Sequence, residues 1–461
     1  MTGSVAVVGA GVAGLTTAFR LLQKDPSLEV TILEAATDVG GRLRSARVGD
    51  LVLEAGPDSF VARKPWAVDL CRELGLDLVA PESEGAFVWT ERGLVRLPPS
   101  ALGVPAGGRA VAGWPGLSRG GRARALLDLV RRPRPGEGDE ALGALLRRRL
   151  GDQATDGLTA PLLAGLFAGD VDRLGVAATF PELTAWEREV GSLLRGARAA
   201  LGAAGDAGPM FLRPAAGVGA LPAALARALG PERIQTSTEA RAIVRDGSGF
   251  VVRTADDREA AAGSVVLATP AFVAGPLVAD LSPAAAADLE AVRYVSTAVA
   301  LLVYPEGTAG ALPDATGFVV PIGRAPMTAA TFLSRKWPEP GSGDRAVLRC
   351  FVGADGTEDV LDAADGEIVE AVARHLAALL PLPERPDDAA FVRWPRSMPQ
   401  YEVGHLDRVA RIEAALPPGI VVAGNAYRGV GVADTVRSAG EAAERTLAHL
   451  AGHQRGTERV R

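Results

Sequence analysis

Gly9-Ala10-Gly11-Val12-Ala13-Gly14 is followed, twenty positions after its last glycine, by Glu34. Glycines at these spacings suit the grip on a diphosphate. The first permits a tight turn, the second lets the diphosphate approach the backbone, and the third lets a helix lie close to a strand. Free N–H groups at a helix start, with the helix dipole behind them, favour its negative charge. Glu34 can accept hydrogen bonds from an adenosine ribose. The motif therefore names a dinucleotide and leaves its redox half open.

Two further stretches could meet the rest of such a ligand. Gly40-Gly41-Arg42 can bring backbone and a guanidinium near a second phosphate, or can be an ordinary glycine turn with a surface arginine. Gly424 to Asp434 joins an apolar run to a helical pattern through glycines that allow close backbone approach. If that helix start faces a flavin, its N–H groups and dipole would stabilise an anionic reduced ring. Asp434 is expected to be the N-cap. Gly217-Val218-Gly219 and Gly429-Val430-Gly431 both lack a third glycine, so no second complete dinucleotide motif is present. That favours a flavin reduced directly by substrate; NAD in the first site is the alternative.

These segments must be held by a fold in which pieces of one nucleotide-binding sheet recur along the chain. Ser4–Val8 reads as a buried strand, Ala13–Leu22 as a helix, and Glu29–Leu33 as the next strand. Ser264–Pro270, ending in a turn, and Ile420–Gly424 are further buried strands, and Asp434–Leu450 is a last helix. Alternating segments at Val299–Tyr304, Thr316–Pro321 and Ala346–Val352 predict a largely antiparallel sheet, with a helix at Gly366–Leu380. Pro98–Gly121 reads as a connection between domains. Arg122–Leu166 has helical spacing broken at Arg132–Gly138, and its basic and apolar residues suit a solvated face or a membrane surface. The expected fold is α/β: a Rossmann-like domain (1–85, 212–270, 395–461) interleaved with a mainly antiparallel-sheet substrate domain (86–100, 180–211, 271–394) and a helical insertion (101–179).

Composition excludes several functions. A length of 461 residues calls for more than one core. A net charge of −6 argues against a nucleic-acid partner. Cys71 and Cys350 are too few for a disulfide framework, and His375, His405, His449 and His453 form no metal-binding spacing, so no metal is expected. No run of eighteen apolar residues marks a transmembrane helix. The N-terminus has no basic region or cleavage site, so a cytoplasmic protein is expected.

Taken together, the opening motif with Glu34, the GGR turn and the C-terminal G-x-G-x-x-D junction resemble the FAD-dependent amine oxidase and desaturase superfamily. Gly56-Pro57-Asp58-Ser59-Phe60, Arg63-Lys64-Pro65, Leu166-Phe167-Ala168-Gly169-Asp170, Glu189–Gly196 and Met398-Pro399-Gln400-Tyr401-Glu402-Val403-Gly404-His405 are similar to the protoporphyrinogen/coproporphyrinogen III oxidases of haem biosynthesis. One departure is Val171, where that family usually has proline after the acid.

The resemblance implies FAD bound by Gly9 to Gly14, Glu34, Ala35, Arg42 and Gly56, Pro57, Asp58 and Ser59. It further implies contacts at Ala240, at Trp394 (otherwise a half-buried core aromatic), and at Val430, Gly431 and Val432. It implies a porphyrinogen aromatised by loss of six electrons in repeated two-electron steps, with molecular oxygen as acceptor and hydrogen peroxide released. Aromatisation supplies driving force, so no strong catalytic base is demanded and none is assigned. Substrate propionates call for cations on an apolar wall. Lys64 is the first candidate ligand and Arg63 the second, each otherwise a solvated cation. His405 is expected to be structural. An Ala/Arg-rich chain resembles enzymes of the coproporphyrin-dependent route, so coproporphyrinogen III is favoured over protoporphyrinogen IX. A flavin amine oxidase, a carotenoid desaturase and a non-enzymatic flavoprotein are more distant alternatives. Peripheral membrane contact and transfer of product to a downstream haem-pathway enzyme are further expectations.

Overall fold

The structure, a computed structural model, describes residues 3–134, 138–203, 208–339 and 341–458. Pro135, Gly136 and Glu137, part of the expected helix break, lie outside them.

Five parallel strands form the first sheet, in the order Ile234–Gln235, Glu29–Leu33, Ser4–Val8, Ser264–Leu267, Ile420–Val422. Their near-continuous apolar runs follow from burial on both faces. Helices Val12–Lys24, Ala220–Leu229 and Val432–Glu458 cover one face, where Leu15, Leu21, Leu225 and Ala442 meet Val5, Val7 and Ile32. The Thr17 hydroxyl donates to the Ala439 carbonyl at 3.2 Å, tying the first helix to the last across almost the whole chain. The antiparallel meander Ala240–Asp246, Gly249–Thr254 and Glu259–Ala262 packs on the other face with helices Ala271–Val278, Pro283–Glu290 and His405–Ala415.

A second sheet runs in the order Asp388–Pro399, Tyr294–Val303, Val347–Val352, Ala329–Phe332, Gly317–Val319, Phe87–Thr90, Gly93–Arg96. Its pairs are antiparallel except where Gly317–Val319 meets Phe87–Thr90. Helix Asp365–Leu379 covers one face through Ile368, Val372 and Leu376. The hairpin Ser45–Val48/Leu51–Glu54 reaches under the other, where Leu51 and Leu53 join Leu301, Val303 and Val347. The fold is thus α/β, with a parallel, Rossmann-like sheet interleaved with a mainly antiparallel one.

Pro98–Gly121 is more than a connection. It folds into the small hairpin Ser100–Ala101/Val104–Pro105 and helix Gly108–Gly113, with helix Arg119–Leu126 beginning at its end, and buries Val104, Val111, Trp114 and Leu117. These residues share a helical core with Leu142, Leu145 and Leu158, and also with Phe180, Leu183, Leu193 and Leu194. The 180–197 stretch, grouped by its sequence with the substrate sheet, therefore packs with the helices. Inside that core Arg149 is held by Asp128 and by the carbonyls of Asp128 and Gly191, which satisfies a buried charge that would otherwise be costly.

Candidate cofactor and substrate site

The opening glycines do what their spacing predicts. Gly9 has φ +105°, a conformation that favours glycine, and its N–H donates to the Leu33 carbonyl at 2.7 Å. A Cβ on Gly14 would lie 1.9 Å from the Gly9 carbonyl oxygen, so that glycine is what lets the helix sit on the strand. A Cβ on Gly11 would meet nothing within 4 Å, and no side chain caps the helix that starts at Val12. An open backbone face at an uncapped helix N-terminus fits a diphosphate. The Glu34 carboxylate accepts from Ala10 N at 2.6 Å and Ala36 N at 2.9 Å, bracing both sides of the turn and leaving Ala35 exposed between. Thr238 N donates to the Glu34 carbonyl at 2.7 Å, which brings the start of the Ala240 strand to this end of the site.

The second turn packs on the first. Gly40 N donates to the Ala10 carbonyl at 2.9 Å, and a Cβ on Gly41 (φ +59°) would touch Gly11 Cα at 3.4 Å. Arg42 sends Nη2 to the Arg396 carbonyl at 3.1 Å, so one arm of its guanidinium faces the second sheet. A Cβ on Gly56 would lie 1.9 Å from the Arg42 carbonyl oxygen, joining the Gly56–Ser59 loop to the same stack. The side chain of Asp58 turns away, into a buried cluster with Lys336, Trp337, Arg349 and Ser59. Backbone is therefore what this loop can offer a cofactor. The Trp394 indole donates to the Ala55 carbonyl at 2.9 Å and carries the Arg44 guanidinium 5.6 Å from its ring centre. It packs against the hairpin core, the bland role its sequence allowed.

Gly424 (φ +124°) and Gly429 (φ +130°) shape the C-terminal junction. Its loop is clamped by a side chain from another element: Tyr401 Oη donates to the Asn425 carbonyl and accepts from Gly429 N, both at 2.8 Å. His405 stacks under Tyr401 with ring centres 4.0 Å apart, and its Nε2 lies 2.9 Å from the Tyr427 carbonyl. Burial pushes the His405 imidazole down to about 4, so it is neutral at pH 7 and serves as a spacer, the structural part expected of it. Tyr401 itself was missed by sequence reasoning as a site residue, though it lies in a motif that was singled out.

Asp434 is not the N-cap. The helix begins at Val432, and Gly431, whose carbonyl accepts from Thr435 N, precedes it. Asp434 lies within the first turn, where its charge still favours the dipole, and its carboxylate takes Lys64 Nζ at 2.6 and 2.8 Å. Lys64 is thereby brought beside Val430–Val432. Arg63 is exposed.

A cleft of about 820 Å³ opens between the second sheet (Trp89, Ile322) and the helical unit (Gln153, Gly169). Ile322 packs on the same helical core as Val430, and Gly169 lies against the buried Gln400 next to Tyr401. Lys64 and Arg63 are not on its walls, which carry more acids than cations. Glu91, Asp156, Asp170, Asp172 and Asp355 outnumber Arg92, Arg147 and Arg324. Arg147 is spent on Asp156 and Asp172, and Asp355 on a bidentate pair with Arg293.

Residues 12–447 match the model of the flavin containing amine oxidoreductases. The chain is 33% identical to the coproporphyrinogen III oxidase of Mycobacterium bovis, covering 95% of this chain and 96% of that one. It is 29% identical to the coproporphyrinogen III oxidase of Bacillus subtilis over 97% and 98%. Among solved structures, a candidate protoporphyrinogen oxidase of Exiguobacterium sp. 255-15 superposes with TM-score 0.86 at 31% identity, covering 98% of this chain and 99% of that one.

Proposed function

The chain belongs to the flavin containing amine oxidoreductases, alongside coproporphyrinogen and protoporphyrinogen oxidases, and from that premise we propose that it oxidises coproporphyrinogen III to coproporphyrin III. It is an FAD-dependent oxidoreductase. The observation that carries the substrate assignment is end-to-end similarity to the mycobacterial coproporphyrinogen III oxidase. When bound, FAD supplies a two-electron acceptor, which molecular oxygen would return to its oxidised state with release of hydrogen peroxide.

The residues divide the work. Gly9 to Gly14 with Glu34, Ala35 and Ala240 hold the adenosine diphosphate half, and Gly40 to Arg42 with the Gly56–Ser59 backbone continue along the cofactor. Val430, Gly431 and Val432 present the start of the last helix to the flavin end, held in place by Tyr401. Lys64, beside the flavin end and outside the cleft walls, takes a substrate propionate in exchange for Asp434, with the exposed Arg63 as a second cation. Replacing Lys64 with alanine should raise KM for the porphyrinogen and leave FAD content intact; unchanged steady-state kinetics would remove Lys64 from the site. This reading places the reaction in the cytoplasm, with product passed to a later enzyme of haem synthesis.

Protoporphyrinogen IX is the second reading, favoured by the Exiguobacterium structure and by 27% identity to a chloroplastic protoporphyrinogen oxidase of spinach. Anaerobic mixing with each porphyrinogen separates the two. Faster flavin bleaching with coproporphyrinogen III, with porphyrin fluorescence appearing in step, is the expected result. Bleaching by neither substrate overturns both readings.

A further inference from the structure

The loop that leaves the hairpin at Glu54 belongs to the cofactor side of the molecule, yet the second sheet pins it. Arg349, in the strand Val347–Val352 and 3% exposed, donates Nη1 to the Gly56 carbonyl at 2.7 Å and places Nη2 3.1 Å from Asp58 Oδ2. Lys336 Nζ lies 3.2 and 3.0 Å from the two Asp58 oxygens. Trp337 Nε1 donates to Oδ2 at 3.1 Å and Ser59 Oγ to Oδ1 at 2.8 Å. Burial alone would raise the Asp58 carboxyl, but the neighbouring Arg349 and Lys336 outweigh it and hold the group well below the usual carboxylate range. Asp58 is therefore a fixed anion with five donor contacts.

Continuous backbone packing runs from this cluster to the diphosphate turn. Ala55 N and Gly56 N both donate to the Arg44 carbonyl, at 2.9 and 3.3 Å. Gly56 lies so close to the Arg42 carbonyl that no Cβ fits between them. Gly40 and Gly41, two residues and one residue before Arg42, rest on Ala10 and Gly11. A change at Arg349 is thus separated from the open face of Gly11 by three packed segments, with no side chain able to rearrange between Gly56 and Arg42.

We propose that Arg349 and Lys336 are positioning residues for the cofactor. Reaching across from the second sheet, they fix Gly56 and Asp58, and through them the Gly40–Arg42 turn against the diphosphate site. The affinity for FAD is then set in part by two cations that need not touch it. The inference rests on the assignment of FAD to Gly9–Gly14 given above. It adds a coupling: whatever displaces the second sheet loosens the cofactor.

The test uses purified holoenzyme of the native chain and of Arg349→Met, Lys336→Met and Arg349→Lys. FAD release on dilution is read from free-flavin fluorescence, with circular dichroism and melting temperature measured at saturating FAD. Arg349→Met and Lys336→Met should each weaken FAD binding by about tenfold or more while the dichroism is unchanged. Arg349→Lys, which keeps the charge and loses the fork, should recover part of that loss. FAD affinity within about twofold of native in Arg349→Met and Lys336→Met overturns the proposal, even where the melting temperature falls, because the cluster then serves stability alone. If Arg349→Met does not yield folded protein, Lys336→Met decides the matter by the same criterion. A native chain that holds no FAD would instead sink the cofactor assignment itself, before any variant is compared.

Discussion

Two glycine-shaped strand-to-helix junctions open from the same parallel sheet, and they are stabilised in opposite ways. The Gly9–Gly14 turn takes its shape from its own neighbourhood, by positive φ at Gly9, contact of Gly14 with the Gly9 carbonyl and a carboxylate that follows the adjacent strand, and the Gly40–Arg42 turn packs on it. Gly424–Gly431 is held from outside. Tyr401 bridges Asn425 and Gly429, and Lys64 engages Asp434. The difference fits the tasks proposed for them. A diphosphate grip is the same for many substrates and can be written locally, whereas the flavin end must be aligned with a substrate surface made by other elements.

The sharpest way to break the comparison is at the glycines. Gly14→Ala forces a Cβ to within 1.9 Å of a backbone oxygen, so strand and helix must separate. The expected cost is roughly 3 kcal/mol or more, with little or no FAD retained on purification. Gly431→Ala is the control. A Cβ there meets Asp434 Oδ2 at 3.4 Å and nothing nearer, so the variant should fold with stability within about 0.5 kcal/mol of native and lose less FAD than Gly14→Ala, the loss reporting the flavin end alone. Equal losses of FAD in the two variants would erase the distinction between a locally and a remotely built junction.

The same contrast explains what could be read in advance. Gly9–Gly14, Glu34, the parallel strands and both flanking helices follow from spacing and apolar runs, because each is determined within a few dozen residues. Arg349 and Lys336 became visible with the tertiary fold, since their partners lie 293 and 278 residues away in sequence, and Tyr401 did because its hydroxyl reaches the junction from another element. Asp434 was misplaced as a cap because glycine at 431 can itself precede the first helical residue, which frees the acid for Lys64. Pro98–Gly121 looked like a linker from its proline and glycine; Val104, Val111, Trp114 and Leu117 were the contrary signal, and all four are buried. The cleft's charge could not be foreseen, because a guanidinium such as Arg147 offers a ligand nothing once three aspartates share it.

Acid should attack the remotely held junction first. His405 is neutral in the folded protein because burial, aided by Arg408 and Arg428 and opposed in part by the Tyr427 carbonyl, lowers it from 6.5 to about 4. The unfolded chain then binds the extra proton between those values, so stability is complete above about pH 6.5 and falls as pH drops towards 4. The upper bound on the loss is about 3 kcal/mol. Melting curves across this range should slope for the native chain and flatten for His405→Gln; parallel slopes would assign the acid sensitivity elsewhere.

Tyr401→Phe has a smaller effect than acid, and the most selective one. It removes one hydroxyl and leaves ring stacking on His405 in place. Two backbone groups, the Asn425 carbonyl and the Gly429 N–H, lose their partner at once. Their cost is about 1–2 kcal/mol of stability, at the low end if water enters to replace the oxygen. The adenosine end of the site has no contact with this hydroxyl, so FAD should stay bound with near-native affinity. Val430–Val432, proposed to meet the flavin, lose their register, so the rate of anaerobic bleaching by porphyrinogen should fall more than KM rises. If FAD affinity drops in proportion to the bleaching rate, the two junctions are one cooperative unit, and the local and remote constructions differ in form alone.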